Sequence, residues 1–368
     1  MGNIKDKIKK QKVVATTIDN SNTPKSKPQP HKFFTMRAII LIVILVFLLP
    51  IVAVDQIFKK AGTDNYMQAV KGFLFSKASE VKTQDGRINL LILGKGGKGH
   101  EGAELTDSMI FTSVSLKGGP IEMVSIPRDI WIPEIRAKIN SAYYWGNIQP
   151  ERGGGMYFSK QIATEVIGQP VTYALVVDFS GFRDIIDTLG GVDVFVDRSF
   201  TDTRYPIEGR EDYLCDGDPT LACRYKTIHF DQGVVHMDGS TALDFVRSRE
   251  GDNEENTDFA RSARQQKVIS AVGKKILSLG TILNPVKDYK ILMVVKNSVQ
   301  TDIDAKTIGI LAKIIYLSRK NLVSTDFPTD LLVNPPSSSL YDKQYVLVPK
   351  LGNGKWQDIN DWFSLLLN

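Results

Sequence analysis

Between Asp238 and Gln266 the chain reads DGSTALDFVRSREGDNEENTDFARSARQQ, and within it Arg247, Arg249, Arg261 and Gln265 have the makings of one anion site. Guanidinium groups bind phosphate oxygens bidentately, with a planar fork that an ammonium lacks. Asp238, Gly239 and Ser240 supply capping chemistry for a short helix through Phe245. If the chain is extended by Arg247, Arg247 and Arg249 fall on the same side, two residues apart. Asp258 is expected to cap a second helix with Arg261 at its third position. A cation there opposes the helix dipole by about 0.3–1 kcal/mol unless an anion offsets it. Gln265 follows one turn later on the same face, with Arg264 nearby. A diphosphate matches this set. The competing reading is a solvated surface network in which Glu250, Asp252, Glu254, Glu255 and Asp258 neutralise the arginines.

The elements that must position these groups follow from hydrophobic periodicity. INLLIL, Ile88–Leu93, is a buried-strand run. It leads into GKGGKGHEG, which has His100 where a Walker loop carries lysine and a strand where that motif has a helix, so a mobile loop beside a groove is expected. LTDSMIFTSVSL and IEMVSIPRDIWI are two strands joined by a hairpin-like KGGP turn. Further on, Tyr157–Ile167 suits an amphipathic helix, VTYALVVDFS a strand, GFRDIIDTLGG a helix stopped by its glycines, and VDVFVD a strand. The arginine helix is expected to run to about Leu279. A loop with Pro285, a helix at Ala305–Ser318, a short strand YVLVPK and a terminal helix with Trp356 and Trp362 complete the chain. Tyr143, Tyr144 and Trp145 either face a sugar or pack, and packing is the favoured expectation. This alternation predicts an α/β fold, a central mixed β-sheet flanked by α-helices.

Ala38–Val54 holds seventeen uncharged, apolar residues, the short end of the range for a membrane span. Nine Lys/Arg against two Asp precede it in residues 1–37, so much of the net charge of +5 is a tail property and gives no reason to expect a nucleic-acid partner. The expected organisation is a basic cytoplasmic tail (1–37), one N-terminal transmembrane helix (38–54), a linker or helix (55–86) and an extracytoplasmic domain with a C-terminal extension (87–368). The positive flank sets this orientation in the cell membrane. An uncleaved anchor is favoured over a signal peptide because no clear cleavage site follows. Cys215 and Cys223 have no His pair at metal spacing, which argues against zinc. They either close a disulfide in an oxidising compartment or remain two thiols.

Taken together, NLLILG, LTDSMIFTSVS, SIPRDIWIP, KINSAYYWG, VDFSGFRDIIDTLGGVDV and DGSTALDFVRSR with DFARSARQQ resemble, in order, the LytR-CpsA-Psr family of bacterial membrane-anchored enzymes over Ile88–Lys275. The resemblance implies a single domain that transfers a glycopolymer from a polyprenyl (undecaprenyl-type) pyrophosphate carrier to a peptidoglycan sugar hydroxyl, with Mg²⁺ (or Mn²⁺). The implied partners are the lipid-linked glycan, the peptidoglycan acceptor and the lipid bilayer. By position, Asp107 corresponds to a metal-site carboxylate with a catalytic role and Arg128 to a catalytic or diphosphate-binding arginine. Arg247, Arg249, Arg261 and Gln265 correspond to headgroup ligands. The family commonly has an acidic residue just after the glycine of the first strand, and here that place holds Lys95 and Gly96. Asp107 then holds the metal with phosphate and water alone, or Glu101 or Glu104 substitutes, or metal dependence is weakened. Asp129 is either the general base or a carboxylate orienting Arg128. GFRDIIDTLGG and KVISAVGKKILSL either line a groove for the polyprenyl tail or are plain core. The rival functions are a polyprenyl-pyrophosphate hydrolase and a non-enzymatic lipid-carrier-binding regulator or scaffold.

Overall fold

The computed structural model describes residues 64–83, 85–97, 102–210, 212–276, 278, 285–318 and 321–368. The expected span at 38–54, the tail before it and Glu101 lie outside these residues. Among the described residues no helix is long and apolar enough to cross a membrane.

The chain enters through helix α1 (Asp64–Phe75) and then lays down β1 (Arg87–Lys95), β2 (Thr106–Ser115) and β3 (Ile121–Ser125), an antiparallel meander. A short ribbon of β4 (Trp131–Ile132) and β5 (Ala137–Lys138) leads to helices α2 (Ala142–Ile148) and α3 (Gly155–Ile167). Next comes β6 (Tyr173–Asp178), which pairs parallel to β1. Asp178 closes that strand and caps α4 (Phe179–Leu189) by accepting from the Gly181 amide at 2.8 Å, so the helix begins two residues before the expected glycine. Gly190, at φ 74°, ends it in the left-handed region that glycine tolerates.

The middle of the chain forms a satellite unit. β7 (Val192–Val196), β8 (Phe200–Pro206), β9 (Tyr225–Phe230) and β10 (Gly233–Met237) make two antiparallel pairs, β7 with β10 and β8 with β9. Helices α5 (Gly239–Arg247) and α6 (Asp258–Ile276) follow. Cys215 and Cys223 are disulfide-bonded in the segment between β8 and β9. Then come α7 (Pro285–Ser298), β11 (Val299–Thr301), α8 (Ala305–Ser318), β12 (Leu322–Thr325), the small β13 (Leu332–Val333)/β14 (Val348–Pro349) pair and α9 (Gln357–Leu367). The expected loop at Pro285 is instead the first turn of α7. Proline fits there because the first helical amide has no intrahelical acceptor and φ near −65° is already helical.

The central sheet has the order β11-β6-β1-β2-β3-β12 and is mixed, as the alternation predicted. Its strands carry continuous apolar runs because both faces are covered. Leu91 and Leu93 of β1 face a core with Phe111, Val124, Ile162 and Val166, closed by Trp362 and Phe363 of α9. Ile88 and Leu90 face the other way, onto Val114, Ile121 and Ile310, Leu311 and Ile314 of α8. Each such fully buried aliphatic side chain contributes about 1.5–3 kcal/mol. A third core joins Ile186, Val194, Phe200, Phe230, Phe245 and Val268. Here Ile186 of GFRDIIDTLGG and Val268 and Ala271 of the arginine helix are interior packing, while Leu277 and Leu279 lie outside the described residues. Tyr143 is buried, its hydroxyl donating to Gln300 Oε1 at 2.7 Å, and Trp145 packs on the first core. Tyr144 departs from the expected packing in being more than a third exposed.

The segment before β1 is part of this body. α1 crosses α8 closely enough that a Cβ on Gly309 would lie 1.9 Å from the carbonyl oxygen of Ala69, and one on Gly72 2.2 Å from that of Lys306. Two glycines thus permit backbone-to-backbone contact between the helices.

Candidate active site

The arginine segment is shaped by two buried polar residues. Asp238 caps α5 as its sequence predicts, accepting from the Thr241 amide at 2.7 Å, and the helix stops at Arg247, after which Ser248 turns extended. Asp202 of β8, 1% exposed, sits under that turn. Its Oδ2 accepts from Ser248 Oγ at 2.7 Å and from the amides of Arg249 and Glu250, each at 3.2 Å. Three donors on one oxygen fix the backbone that carries Arg249, a stabilisation charge-assisted hydrogen bonds supply well.

Arg264 holds the other side. From α6 it donates through Nε to the Phe245 carbonyl at 2.8 Å, through Nη2 to that of Ser248 at 2.6 Å, and through Nη1 to the Glu255 carbonyl at 2.9 Å and carboxylate at 2.5 Å. This buried guanidinium is spent on the loop, a correction to its expected place beside the ligand. The start of α6 also differs by one residue. Thr257 is the cap, its hydroxyl accepting from the Ala260 amide at 3.0 Å, and Asp258 instead pairs with Arg261 at 2.7 Å.

Arg247, Arg249, Arg261 and Gln265 line one cavity of about 360 Å³, together with Asp107 at the start of β2. Arg247 lies over the Phe179 ring, 4.3 Å from its centroid, so its alkyl and π contacts preset its direction. Arg261 is only 7% exposed. Burial, and then repulsion from Arg249, pulls its guanidinium down to about 10 despite Asp258. Arg249 is likewise lowered by burial and by the neighbouring Arg128. Guanidiniums gathered in this way, with their proton affinity lowered by burial and mutual repulsion, make the cavity favourable to an anion.

Arg128 does not line that cavity. It lines an adjoining chamber of about 180 Å³, and Asp107, Ser108, Arg261 and Gln265 line both. Arg128 Nη1 pairs with Asp107 Oδ1, which also lies 3.9 Å from Arg249 Nη2. Burial draws the Arg128 guanidinium down, but Asp107 and Asp129 outweigh it and the net shift is upward. Asp129 is 7% exposed and held by Lys138 Nζ at 2.6 Å, with Arg128 Nε 3.6 Å from its other oxygen. Placed between these two cations, Asp129 is positioned to orient Arg128. Asp202, Phe179 and Lys138 had no sequence signal of their own; each enters the site through tertiary pairing.

At the β1 end the ladder to β2 shifts register between Gly94 and Lys95. Lys95, 8% exposed, turns to Glu104 at 2.8 Å. Glu104 is therefore a lysine partner and does not line either cavity. Among the described residues no group of three or more His, Cys, Asp or Glu could hold a metal ion. Of the carboxylates expected at a metal site, Asp107 is the one among the described residues that lines the cavity, with one oxygen facing two guanidiniums. That set fits Mg²⁺, which keeps several waters and uses one or two carboxylates with substrate phosphates, better than it fits an all-protein metal cage.

Comparison with known proteins agrees with this architecture. The chain is 28% identical over 254 residues to the polyisoprenyl-teichoic acid–peptidoglycan teichoic acid transferase TagU of Bacillus cereus, covering 68% of this chain and 69% of that one. The TagU of Oceanobacillus iheyensis is also 28% identical, over 242 residues, covering 65% of this chain and 66% of that protein. Among solved structures, B. subtilis TagV superposes with a TM-score of 0.54 at 24% identity, covering 77% of this chain and 98% of that one. Residues 55–350 match the model of the LytR_cpsA_psr family, and the chain belongs to that family.

Proposed function

We propose that the protein is a phosphotransferase that moves a glycopolymer from a polyprenyl pyrophosphate carrier to a peptidoglycan sugar hydroxyl during cell envelope assembly. The observation that carries this reading is the convergence of Arg247, Arg249 and nearly buried Arg261 on one cavity with Gln265 and Asp107. A diphosphate ester supplies the charge that these guanidiniums lack, and bidentate pairing fixes its orientation. Phosphoryl transfer needs little beyond positioning and stabilisation of charge on the transferring group and leaving oxygen. Arg128, reached through Asp107, contributes positive charge from the adjoining chamber.

Asp107 is the residue that would hold Mg²⁺ (or Mn²⁺), and the ion would neutralise phosphate charge. The chain is further proposed to be anchored by residues 38–54 with its N-terminus in the cytoplasm and the site outside, adjacent to a membrane-borne substrate. The relatives' name, transferase for polyisoprenyl-linked teichoic acid, supports the reaction class.

Purified protein incubated with a polyprenyl-pyrophosphate-linked disaccharide and peptidoglycan should give glycan attached to the wall polymer. Free glycan with none attached would assign the protein to hydrolysis. Arg128→Ala is expected to lower transfer by about 10²–10³ while the lipid diphosphate still binds. Undiminished attachment by that variant would remove Arg128 from the reaction, whereas neither attached nor free glycan from the unsubstituted protein would return it to the class of lipid-carrier binders.

A further inference from the structure

We infer that the smaller chamber, on the Arg128 side of the site, is the subsite for the acceptor sugar. The inference rests on the transferase reading above and adds where the second substrate binds. Four residues, Asp107, Ser108, Arg261 and Gln265, line both chambers, so a group held across them is reached from either side. In-line displacement at phosphorus requires that arrangement, with the nucleophile entering opposite the leaving oxygen.

The chemistry of the chamber selects a carbohydrate. Phe327 and Leu332 supply an apolar floor, 3% and 8% exposed, and Tyr345 stands 60% exposed at the lining. Asp258, Asp326 and Thr329 add oxygens that accept from hydroxyl groups. A sugar ring offers an apolar C–H face and a rim of hydroxyls, which an aromatic ring beside carboxylates matches. Four carboxylates, Asp107, Asp129, Asp258 and Asp326, outnumber the two guanidiniums of Arg128 and Arg261 in this lining, which disfavours a second phosphate. A polyprenyl chain would desolvate the exposed Asp326 carboxylate with no compensating hydrogen bond. In the step this placement allows, the acceptor hydroxyl oxygen forms a bond to the glycan-bearing phosphorus. The bond from that phosphorus to the bridging oxygen breaks, its electron pair leaves with polyprenyl monophosphate, and the hydroxyl proton passes to water at the chamber mouth.

The test uses the full chain in detergent, titrated separately with a β-1,4-linked N-acetylglucosamine tetramer and with geranylgeranyl pyrophosphate. Tyr345→Ala and Asp326→Asn lie outside the diphosphate cavity. Each should weaken the tetramer about tenfold, through loss of a stacking or a charge-assisted hydrogen-bond contact, and leave the affinity for geranylgeranyl pyrophosphate unchanged. Tyr345→Phe should retain tetramer binding, because the ring face and not the hydroxyl makes the contact. Absence of tetramer binding by the unsubstituted protein, or binding indifferent to both substitutions, overturns the inference. Weakened geranylgeranyl pyrophosphate binding overturns it too and gives the chamber to the lipid chain. If the tetramer behaves as expected yet no glycan is ever transferred, the sugar subsite stands and the transferase reading falls.

Discussion

Arg261→Gln should make the protein more stable and less able to bind its ligand. In the fold the Arg261 guanidinium is lowered to about 10, by burial first and by Arg249 second, whereas a free guanidinium stays protonated above pH 12. Both states are charged at neutral pH, so the cost of burying that charge is fully present there. It is relieved only as pH rises past about 10, where the folded side chain loses its proton before the unfolded one does. At about 1.4 kcal/mol per pH unit the cost at pH 7 is roughly 3 kcal/mol. That figure is already net of the ion pair to the half-exposed Asp258, whose attraction works against the shift. Lost alkyl packing takes a share, leaving a net gain of about 1–2 kcal/mol, or about 1–3 °C in Tm for a chain of this size. Thermal unfolding by circular dichroism at pH 7 measures the first half of the prediction. Repeating it with geranylgeranyl pyrophosphate measures the second, since a ligand bound only to the folded state raises Tm according to its affinity. The unsubstituted protein should gain more from ligand than the variant. An Arg261→Gln protein that melts lower and keeps the full ligand shift would refute the view that this arginine is held in a costly state for the sake of an anion.

Three further outcomes follow from the packing. Arg264→Lys replaces a fork that reaches the carbonyls of Phe245, Ser248 and Glu255 with a single ammonium, and should cost about 3 kcal/mol in urea unfolding as well as weaken pyrophosphate binding. Gly309→Ala puts a methyl 1.9 Å from the Ala69 carbonyl oxygen and should lower stability by about 2–3 kcal/mol, with calorimetry showing no change in pyrophosphate affinity at the distant site. Replacing Cys215 and Cys223 together by serine should cost up to about 2–3 kcal/mol of chain-entropy stabilisation, read from denaturant midpoints, while the insensitivity of those midpoints to reductant confirms that the bond is gone.

The part of the site that could be read from the chain is the part whose spacing is local. Arg247 and Arg249, two residues apart across a helix end, and Arg261 and Gln265, one helical turn apart, reach a common cavity because short-range geometry fixes each pair. What was misread turned on choices that local pattern leaves open. Asp258 and Thr257 are both good caps, and tertiary pairing of Asp258 with Arg261 decides between them. Arg264 differs from Arg261 only in which side of α6 it occupies, and the position of Phe245 settles that one is interior while the other meets the cavity. Asp202 gives no signal within its strand, since its partners Ser248, Arg249 and Glu250 lie far along the chain. β1, β2, β3 and β6 were legible from their apolar runs; the short, partly polar edge strands β11 and β12 were not, and neither was α7, because a proline marks a helix start and a loop equally well.

Asp202 also decides where this protein can vary. It is where the hairpin of β8 and β9 holds the backbone of the arginine turn, Tyr205 further along meets the Arg247 guanidinium 5.8 Å from its ring centroid, and the loop closed by Cys215 and Cys223 lies beyond both. Length and sequence at that tip are mechanically decoupled from the position of Arg249. The tip can therefore be exchanged, lengthened or fused to a reporter while the guanidiniums stay in register, whereas a single-residue insertion between Phe200 and Asp202 would slide the anchor out from under them.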